Sequence, residues 1–510
     1  MVAAATKKAP LNLNLFHVIA LAITRALRVP LVLVTASVLA RLLGPEGVGK
    51  WSMVMAAGAL LHSAFFSWTH AISVRFGCEE WERDRRLDAT VSKRLPLLIV
   101  GWALSVAVVF FAPRNYAERI FSLSNGYLWV VLTYTVSIWL LAELRSVMQI
   151  MSRYWQIATI SLLVEMAGAG FLVVVLISGV ELATLPALAG LSITMALAAI
   201  MPSIVEYRRC VRAPWWPSRS EITQGVVYAW PLIPGFILGF LSDWFDHLLL
   251  QSYFATREVG LFQAAYQLML LLASLCAPIS TVLLPRLINR TVADPSTASR
   301  FVQKIVPTVI VLWFPIVAIA VAVAPYCVFL LYGAKFAESK LVLAILCISV
   351  PGTILTSLYG TLFSLQGRLG RNIVYLGIMA GINIAISVAL VPSMGVSGAA
   401  IGTVVSYLVS QGLYAFDQHQ HTGVAAGRHI LLFIAIGSYS VVQVVIIDSL
   451  LWRTVLAVAF SILIFLLARS LRLVDGETLK QIFSGRLASV SRILTRILVE
   501  RELQQDIVAQ

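Results

Sequence analysis

Residues 15–51 read LFHVIALAITRALRVPLVLVTASVLARLLGPEGVGKW and decide the fold. The part from about Phe16 to Leu42 is long enough to cross a bilayer, which takes roughly 20 apolar residues. It nevertheless contains Arg25 and Arg28 well inside the span. An arginine near the centre of a membrane helix costs about 2.5–3.5 kcal/mol on insertion scales, and apolar residues offset this by about 0.3–0.6 kcal/mol each. The segment is therefore predicted to be a membrane helix whose arginines do not face lipid.

One stripe of this predicted helix collects its polar side chains. At helical spacing His17, Thr24, Arg28 and Thr35 fall on one face, with Arg25 beside it. Such a stripe requires water, a counter-charge or an anionic ligand. We interpret the helix as one wall of a polar cavity inside a membrane protein.

The composition agrees with a chain that lies almost entirely in the membrane. Of its 510 residues 59% are hydrophobic and 12% charged, and the mean hydropathy is +0.89. Soluble domains carry about 25% charged residues. The net charge of +14 is distributed between apolar runs, which indicates topology signals and contacts to anionic lipid rather than nucleic-acid binding. The five cysteines show no metal-site spacing, and we expect no metal site.

The apolar runs predict about fourteen membrane spans. They are centred near residues 28, 59, 104, 137, 167, 193, 238, 272, 316, 352, 381, 405, 438 and 461. With the N-terminus inside, 28 of the 38 Lys and Arg residues fall on the inner side and eight on the outer side. Because basic residues are enriched in cytoplasmic loops, both termini are predicted to be cytoplasmic.

The chain contains an internal repeat. GVGKW with Gly49 follows the first span and EVGLF with Gly260 follows the seventh, an offset of 211 residues. Arg75 and Arg286, which close the second and eighth spans, have the same offset. Six helices per repeat give both halves one orientation, related by an axis along the membrane normal. The predicted fold is all-α: two pseudo-symmetric six-helix bundles around a central cavity, plus two peripheral helices.

This organisation predicts six regions along the chain. They are a cytoplasmic N-tail (1–15), an N-terminal six-helix bundle (16–205), a cytoplasmic linker (206–224), a C-terminal six-helix bundle (225–415), two extra membrane helices (416–470) and a cytoplasmic basic amphipathic tail (471–510). In the tail, Leu487, Val490, Leu494 and Ile497 recur at helical spacing.

Three acidic residues lie within predicted spans. Asp243 and Asp246 belong to the seventh span, which is the repeat partner of the first, and Glu165 lies in the middle of the fifth. Acids inside a membrane are candidates for salt partners, cation ligands or proton carriers. We predict a role in ion coupling or as a counter-charge. The alternative is an ion pair or hydrogen bond that only closes the outer end.

The remaining site candidates are basic or neutral. Arg25 and Arg28 are candidates for an anionic headgroup, because the planar guanidinium donates two hydrogen bonds to phosphate at once. The alternative is a buried ion pair. Neutral polar residues within spans are candidates for glycan contacts, although most such residues make interhelix hydrogen bonds. They are Gln263, Tyr266, Gln267 and Asn383.

Several segments resemble one family in their order and spacing. LARLLGPEGVGKW (39–51), DWFDHLLLQSYFATREVGLFQAAYQL (243–268), LYGAKF (331–336) and LVPSMGVSGAAIGTVVS (390–406) are similar to the polysaccharide transporter branch of the MOP flippase superfamily, which also contains the MATE transporters. The resemblance extends over roughly residues 15–415.

The resemblance implies a V-shaped cavity and a transport function rather than an enzymatic one. The implied substrate is an oligosaccharide on undecaprenyl pyrophosphate, for O-antigen, capsule or exopolysaccharide, moved from the cytoplasmic to the periplasmic leaflet of the bacterial inner membrane. Arginines in the first helix of such relatives meet the pyrophosphate, which fits Arg25 and Arg28 by location. We expect no cofactor beyond H⁺ or Na⁺ coupling. Membrane lipids are expected partners, and polysaccharide polymerase and export proteins are further candidates.

Other functions are less consistent with the sequence. A MATE-type cation or drug antiporter favours an acidic cavity, which the arginine pair opposes. A lipid II flippase would have a similar cavity but a different cargo. A membrane-bound polymerase or ligase needs a sizeable external loop, and the predicted outer loops are short.

Overall fold

A computed structural model describes residues 15–111, 121, 123–151, 153–179, 184–274, 301–353, 368–424, 427–445 and 449–474, with five single positions between 356 and 366. For residues 15–29 it describes the backbone helix alone. The side chains of Arg25 and Arg28 are therefore outside the described part of the chain. So are the predicted N-tail up to residue 14, Arg286, and the predicted amphipathic tail from residue 475 onward.

The fold is all-α, as predicted, and the described residues contain no strand. The helices are α1 (Leu15–Phe65), α2 (Ser67–Asp84), α3 (Asp88–Phe111), α4 (Asn125–Ile150), α5 (Tyr154–Ser178), α6 (Thr184–Cys210), α7 (Arg219–Ala229), α8 (Ile233–Tyr253), α9 (Thr256–Ser274), α10 (Val306–Tyr332), α11 (Ser339–Leu346), α12 (Leu369–Met394), α13 (Val396–Thr422), α14 (Gly427–Val445) and α15 (Leu450–Ser470). Within the described ranges, 10 helices are long and apolar enough to cross a membrane. The chain is a multi-pass membrane protein.

The helices depart from the predicted spans at two places, Gly44–Pro45 and Pro351. The first two spans form one helix, α1, which is broken at Gly44 by a backbone φ of 67° and ψ of −174°. Glycine adopts a positive φ without steric cost, and Pro45 then restarts the helix. The tenth span, predicted near residue 352, is irregular: α11 ends in a 3₁₀ turn at Cys347–Ser349 and a turn at Pro351. Pro351 has no N–H to donate to the Cys347 carbonyl four residues earlier, which accounts for this break.

A close crossing of α1 and α9 joins the two halves of the chain. A Cβ atom on Gly49 would lie 1.9 Å from the carbonyl oxygen of Thr256, and one on Gly260 would lie 1.8 Å from that of Pro45. Only glycine allows the two backbones to approach this closely. Gly49 and Gly260 are the pair separated by the repeat offset. The end of the molecule that carries this crossing is called the Gly44 end below.

The repeat is also visible at the opposite end of the helices. Arg153 precedes α5 and pairs with Glu206 near the end of α6, with 3.2 Å between Nη1 and Oε2. Arg368 precedes α12 and pairs with Asp417 near the end of α13, with 2.9 Å between Nη1 and Oδ2. Equivalent helices thus carry equivalent ion pairs, although their sequences differ.

Two arginines that the sequence analysis counted as loop charges are buried. Arg94 is 1% exposed and pairs with Glu143. Arg453 is fully buried and donates to main-chain carbonyls of α10 and α14. Arg94 was counted on the inner side and Arg453 on the outer side, so the predicted charge asymmetry is almost unchanged.

The helix contacts follow the repeat. Helices α1 to α6 pack on one another, and α8 packs on α12, α12 on α13, and α9 on α11. Helix α15 packs on α10 and on α14. The predicted domain boundaries stay predictions, because the packing does not fix where one region ends.

Candidate functional site

A cavity of about 330 Å³ lies between α1, α8, α9 and α10 near the Gly44 end. Its polar lining comes from both halves of the chain. The polar residues in its wall are Thr35, Asp243, Gln263, Tyr266 and Gln267. Three of the four predicted glycan contacts therefore meet at one cavity, together with one of the predicted acids. Thr35 belongs to the polar stripe on α1, so that stripe reaches the cavity at this end.

Aromatic rings form much of the remaining wall. Trp51, Trp244 and Tyr332 line the cavity beside Tyr266. Trp51 is held by an edge-on contact with Tyr134 of α4, with 5.3 Å between ring centroids. A wall of flat apolar faces, amides and one carboxylate suits a ring-shaped ligand that carries many hydroxyl groups, since each ring face is covered while the edges find hydrogen-bond partners.

The two acids of α8 point to different places. Asp243 lines the cavity and its side chain is exposed there. Asp246 is 4% exposed and faces α12 and α13. The three-residue spacing leaves the two side chains about 60° apart around the helix axis, and this difference directs one to the cavity and the other to α12 and α13. The sequence placed both residues on one face, and the structure separates their environments.

Asp246 is surrounded by polar side chains that donate hydrogen bonds to it. Its carboxylate accepts hydrogen bonds from Ser387 Oγ at 2.6 Å, Thr403 Oγ1 at 2.6 Å and Asn383 Nδ2 at 3.2 Å. Asn383 is 2% exposed. The structure thus places Asn383 beside the buried acid and not at the cavity wall where a glycan contact was predicted.

Gln263 is positioned by two neighbours that the sequence analysis did not single out. His247 Nε2 lies 2.6 Å from Gln263 Oε1. Because an amide oxygen only accepts, His247 carries its proton on Nε2 in this contact. Ser52 Oγ lies 3.4 Å from the same oxygen. These contacts fix the amide at the cavity wall.

The other predicted residues lie elsewhere. Glu165 is half-buried on α5 and interacts electrostatically with Tyr134, the residue that contacts Trp51. Arg25 and Arg28 lie on the described backbone of α1, on the far side of Pro30 from Thr35. Sequence reasoning missed Trp51, Trp244 and His247. All three occur within the stretches that carry the family resemblance, which was the available signal.

Comparisons with known proteins agree with this architecture. A family model described as polysaccharide biosynthesis protein matches residues 17–290, more than half of the chain. No curated protein sequence matches the chain.

Three solved structures share the fold. A lipid II flippase MurJ in an inward closed conformation has a TM-score of 0.68 and 14% identity, covering 90% of this chain and 100% of that chain. An inward-facing multidrug resistance MATE family transporter of the MOP superfamily has a TM-score of 0.54 and 15% identity, covering 79% and 98%. A MOP superfamily transporter from Pyrococcus furiosus has a TM-score of 0.50 and 13% identity, covering 80% and 95%.

The predicted resemblance is therefore confirmed by the sequence match and by the shared fold of MOP superfamily transporters. The chain belongs to the polysaccharide biosynthesis protein family.

Proposed function

We propose that this protein is a flippase for an oligosaccharide carried on undecaprenyl pyrophosphate. It moves the lipid-linked unit of an O-antigen, capsule or exopolysaccharide from the cytoplasmic to the periplasmic leaflet of the bacterial inner membrane. The observation that carries the proposal is the course of α1. The same helix bears Arg25 and Arg28 within its predicted membrane span and then lines a polar, aromatic cavity with Thr35.

Two parts of the cargo, the pyrophosphate and the first sugars, have candidate sites along α1. A pyrophosphate is anionic and suits the forked guanidinium groups of Arg25 and Arg28. Thr35 lies seven residues beyond Arg28, which is roughly 10 Å along a helix at 1.5 Å per residue. A headgroup bound at the arginines would thus place its first sugars at the cavity. Its polyprenyl chain would stay in lipid.

The cavity has the chemistry that sugars require. Trp51 and Trp244 offer flat apolar faces, while Asp243, Gln263 and Gln267 offer hydrogen-bonding groups. Its volume of about 330 Å³ is at the lower end of ligand pockets, which span roughly 300–1,000 Å³. It would therefore hold a few sugar rings at a time rather than a whole repeat unit.

Contacts across the Gly44 end suggest how transport proceeds. Arg41 of α1 donates to the carbonyl oxygens of Leu330 at 2.8 Å and Leu331 at 3.2 Å, near the end of α10. Together with the glycine crossing, these contacts hold the two halves together at the end predicted to face the periplasm. Alternating access would require them to break when the cavity opens outward.

Asp246 is the best-supported candidate for coupling to an ion gradient. Its carboxylate, two hydroxyls and one amide come from α8, α12 and α13. Oxygen ligands suit Na⁺ or a proton carried by the acid. Movement of α8 against α12 would change this set, so cation binding would favour one conformation. Asp243 and Glu165 are the alternative coupling acids.

Translocation of radiolabelled lipid-linked oligosaccharide in proteoliposomes tests the proposal. We expect wild type to translocate it, Arg28→Ala to lose most activity and Arg28→Lys to regain part. Arg83→Ala is the matched control, because Arg83 is an exposed arginine on α2. If folded wild-type protein moved no such lipid, the proposal would be wrong. If Arg28→Ala moved it as fast as wild type, the headgroup site would be wrong.

Two other cargos are tested in the same vesicles. The solved structure with a TM-score of 0.68 is described as a lipid II flippase, and lipid II shares the polyprenyl pyrophosphate headgroup. Faster translocation of lipid II than of polysaccharide repeat units would favour that cargo. Export of cationic drugs instead of either lipid would favour a MATE-type antiporter.

A further inference from the structure

A buried cluster in the N-terminal half is not used by the proposed transport cycle. It lies where α1 ends at Phe65 and α2 begins at Ser67. Phe66, between them, has a backbone φ of −123° and is fully buried, with its ring 4.7 Å from that of Trp102. His62 lies one turn before this break and His70 one turn after it. Their rings stack at 5.6 Å between centroids.

The imidazole pair borders a buried ion pair. Glu143 of α4 is 2% exposed and accepts two hydrogen bonds from Arg94 of α3, at 2.6 and 2.7 Å. Tyr207 of α6 donates its hydroxyl to the same carboxylate. His70 Nδ1 lies 3.1 Å from Glu143 Oε2. Charged or titratable groups of α1, α2, α3, α4 and α6 thus face one another in a single cluster.

The contacts favour one tautomer of each ring. A carboxylate only accepts, so a proton between Glu143 and His70 belongs to His70 Nδ1. Ser67 Oγ lies 3.0 Å from His62 Nδ1 and donates to the His62 carbonyl oxygen at 3.2 Å. If the serine proton is used in that bond, the ring proton of His62 is on Nδ1 and points toward Ser67. Both Nε2 atoms are then bare acceptors.

These two acceptors lack partners. Among the described residues, neither His62 Nε2 nor His70 Nε2 has a hydrogen-bond donor, and His70 Nδ1 lies 3.1 Å from Glu143 without the geometry of a hydrogen bond; all three atoms are buried. Buried polar atoms are nearly always satisfied, so two orphans in one cluster require an explanation. Stacked imidazoles beside a carboxylate can take up one proton, because the first charge on the pair repels a second.

We propose that His62 and His70 form a proton-binding site at the break between α1 and α2, with Glu143 as its counter-ion. The bound proton adds positive charge beside Arg94. The protonated imidazole and Arg94 then compete for the Glu143 carboxylate. The pair then unstacks, and the angle between α1 and α2 changes. Because α1 also crosses α9 at Gly49, protonation is transmitted to the contact between the two halves. This site is separate from the cavity and independent of the cargo.

Histidine protonation in the full-length protein provides the first test. The chain has seven histidines, so ¹⁵N-histidine labelling gives few signals in detergent micelles. We expect one proton to be taken up by the pair between about pH 8 and pH 5, the range in which histidine responds. His70→Asn, which removes the ring beside Glu143, should reduce this uptake. His421→Asn, at the exposed end of α13, should leave it unchanged.

A distance measurement tests the link to helix geometry. Spin labels at Arg83→Cys on α2 and Lys340→Cys on α11, in a cysteine-free background, report the position of α2 relative to the Gly44 end. We expect the distance to change with pH in wild type and in His421→Asn, and to be constant in His70→Asn or in the bulkier His70→Gln. Unchanged protonation of both rings over this range would overturn the site. Protonation without a distance change would overturn the coupling to the bend.

Discussion

Ser52 and Gln263 occupy the same place in the two halves of the repeat, 211 residues apart, and they touch each other: Ser52 Oγ lies 3.4 Å from Gln263 Oε1. Equivalent residues can meet only near the symmetry axis that relates the halves. The axis therefore passes between α1 and α9, beside the cavity. Gly49 and Gly260, one turn earlier in each half, cross at the same place. The contact that joins the halves is thus built from repeated positions.

Filling the glycine crossing is expected to destabilise the protein. Gly49→Ala puts a Cβ atom 1.9 Å from a backbone oxygen, which no side-chain rotation relieves. Overpacking typically costs about 1–3 kcal/mol, and we expect the upper part of that range or more. Thermal unfolding in detergent measures the loss. Gly412→Ala, whose added Cβ would meet nothing within 4 Å, is the control and should be neutral or slightly stabilising. Equal stability of the two variants would contradict the crossing.

Removing Arg41 is expected to loosen the Gly44 end. Arg41→Ala deletes the guanidinium donors to the Leu330 and Leu331 carbonyls of α10, and only Ser37 Oγ still donates to Leu331. A cysteine at Gln267, in a cysteine-free background, should then react faster with a membrane-impermeant maleimide added outside the cell. Lys50→Ala is the control, because Lys50 pairs with Glu46 on its own helix. No change in rate would show that Arg41 does not hold the two halves together.

Asp246 is expected to carry any cation dependence. Asp246→Asn preserves the shape of the side chain but removes its charge, whereas Asp243→Asn changes only the exposed cavity acid. A cation at 100 times its dissociation constant stabilises the folded state by about 2.7 kcal/mol. Melting temperatures in NaCl and in choline chloride at equal ionic strength measure this effect. We expect Asp246→Asn to lose it and Asp243→Asn to retain it. The reverse order would assign coupling to Asp243.

Arg453 is expected to be a structural residue rather than a loop charge. Its guanidinium donates to the carbonyls of Val321 at 3.2 Å and Ala322 at 2.9 Å, and to that of Gln443. Pro325 has no N–H, so the Val321 carbonyl four residues earlier has no partner within α10.

Arg453→Leu leaves the Val321 carbonyl unpaired, at about 1–3 kcal/mol, and removes a donor from the carbonyls of Ala322 and Gln443. We expect a clear fall in melting temperature and in folded yield, and a smaller fall for Arg453→Gln. Arg469→Leu, an exposed arginine on the same helix, is the control. If both leucine variants melted alike, the carbonyl contacts would contribute nothing measurable.

The aromatic residues of the cavity wall are expected to affect the rate of cargo translocation and not the stability of the fold. Trp244→Ala removes a ring from the cavity and should slow translocation about tenfold, equivalent to about 1.4 kcal/mol. Trp244→Phe should recover part of the rate. Trp129→Ala, a tryptophan of α4 that is 62% exposed, should translocate normally. A normal rate in Trp244→Ala would exclude sugar stacking at this ring.

The sequence predicted the class of the fold because hydropathy is a local property. Runs of apolar residues placed the spans, and the offset between Gly49 and Gly260 predicted two equivalent halves. It did not predict the break at Pro351 as a break in a span, since the surrounding run is apolar. It also treated Arg94 and Arg453 as loop charges, because a charge at the edge of an apolar run gives no sign of a distant partner.

The candidate site, like the fold, was predicted only in part from the sequence. The sequence by itself determined an all-α membrane fold, a two-fold repeat and arginines inside the first helix, since composition and spacing along one chain are sufficient for these. Only the tertiary structure decided that Asp243 lines the cavity while Asp246 is enclosed by Ser387 and Thr403, and that His62 stacks on His70 beside Glu143. Those arrangements depend on which helices pack together and how each is rotated. Such packing joins residues as distant in sequence as Asp246 and Thr403, 157 positions apart, and no local pattern in the sequence encodes it.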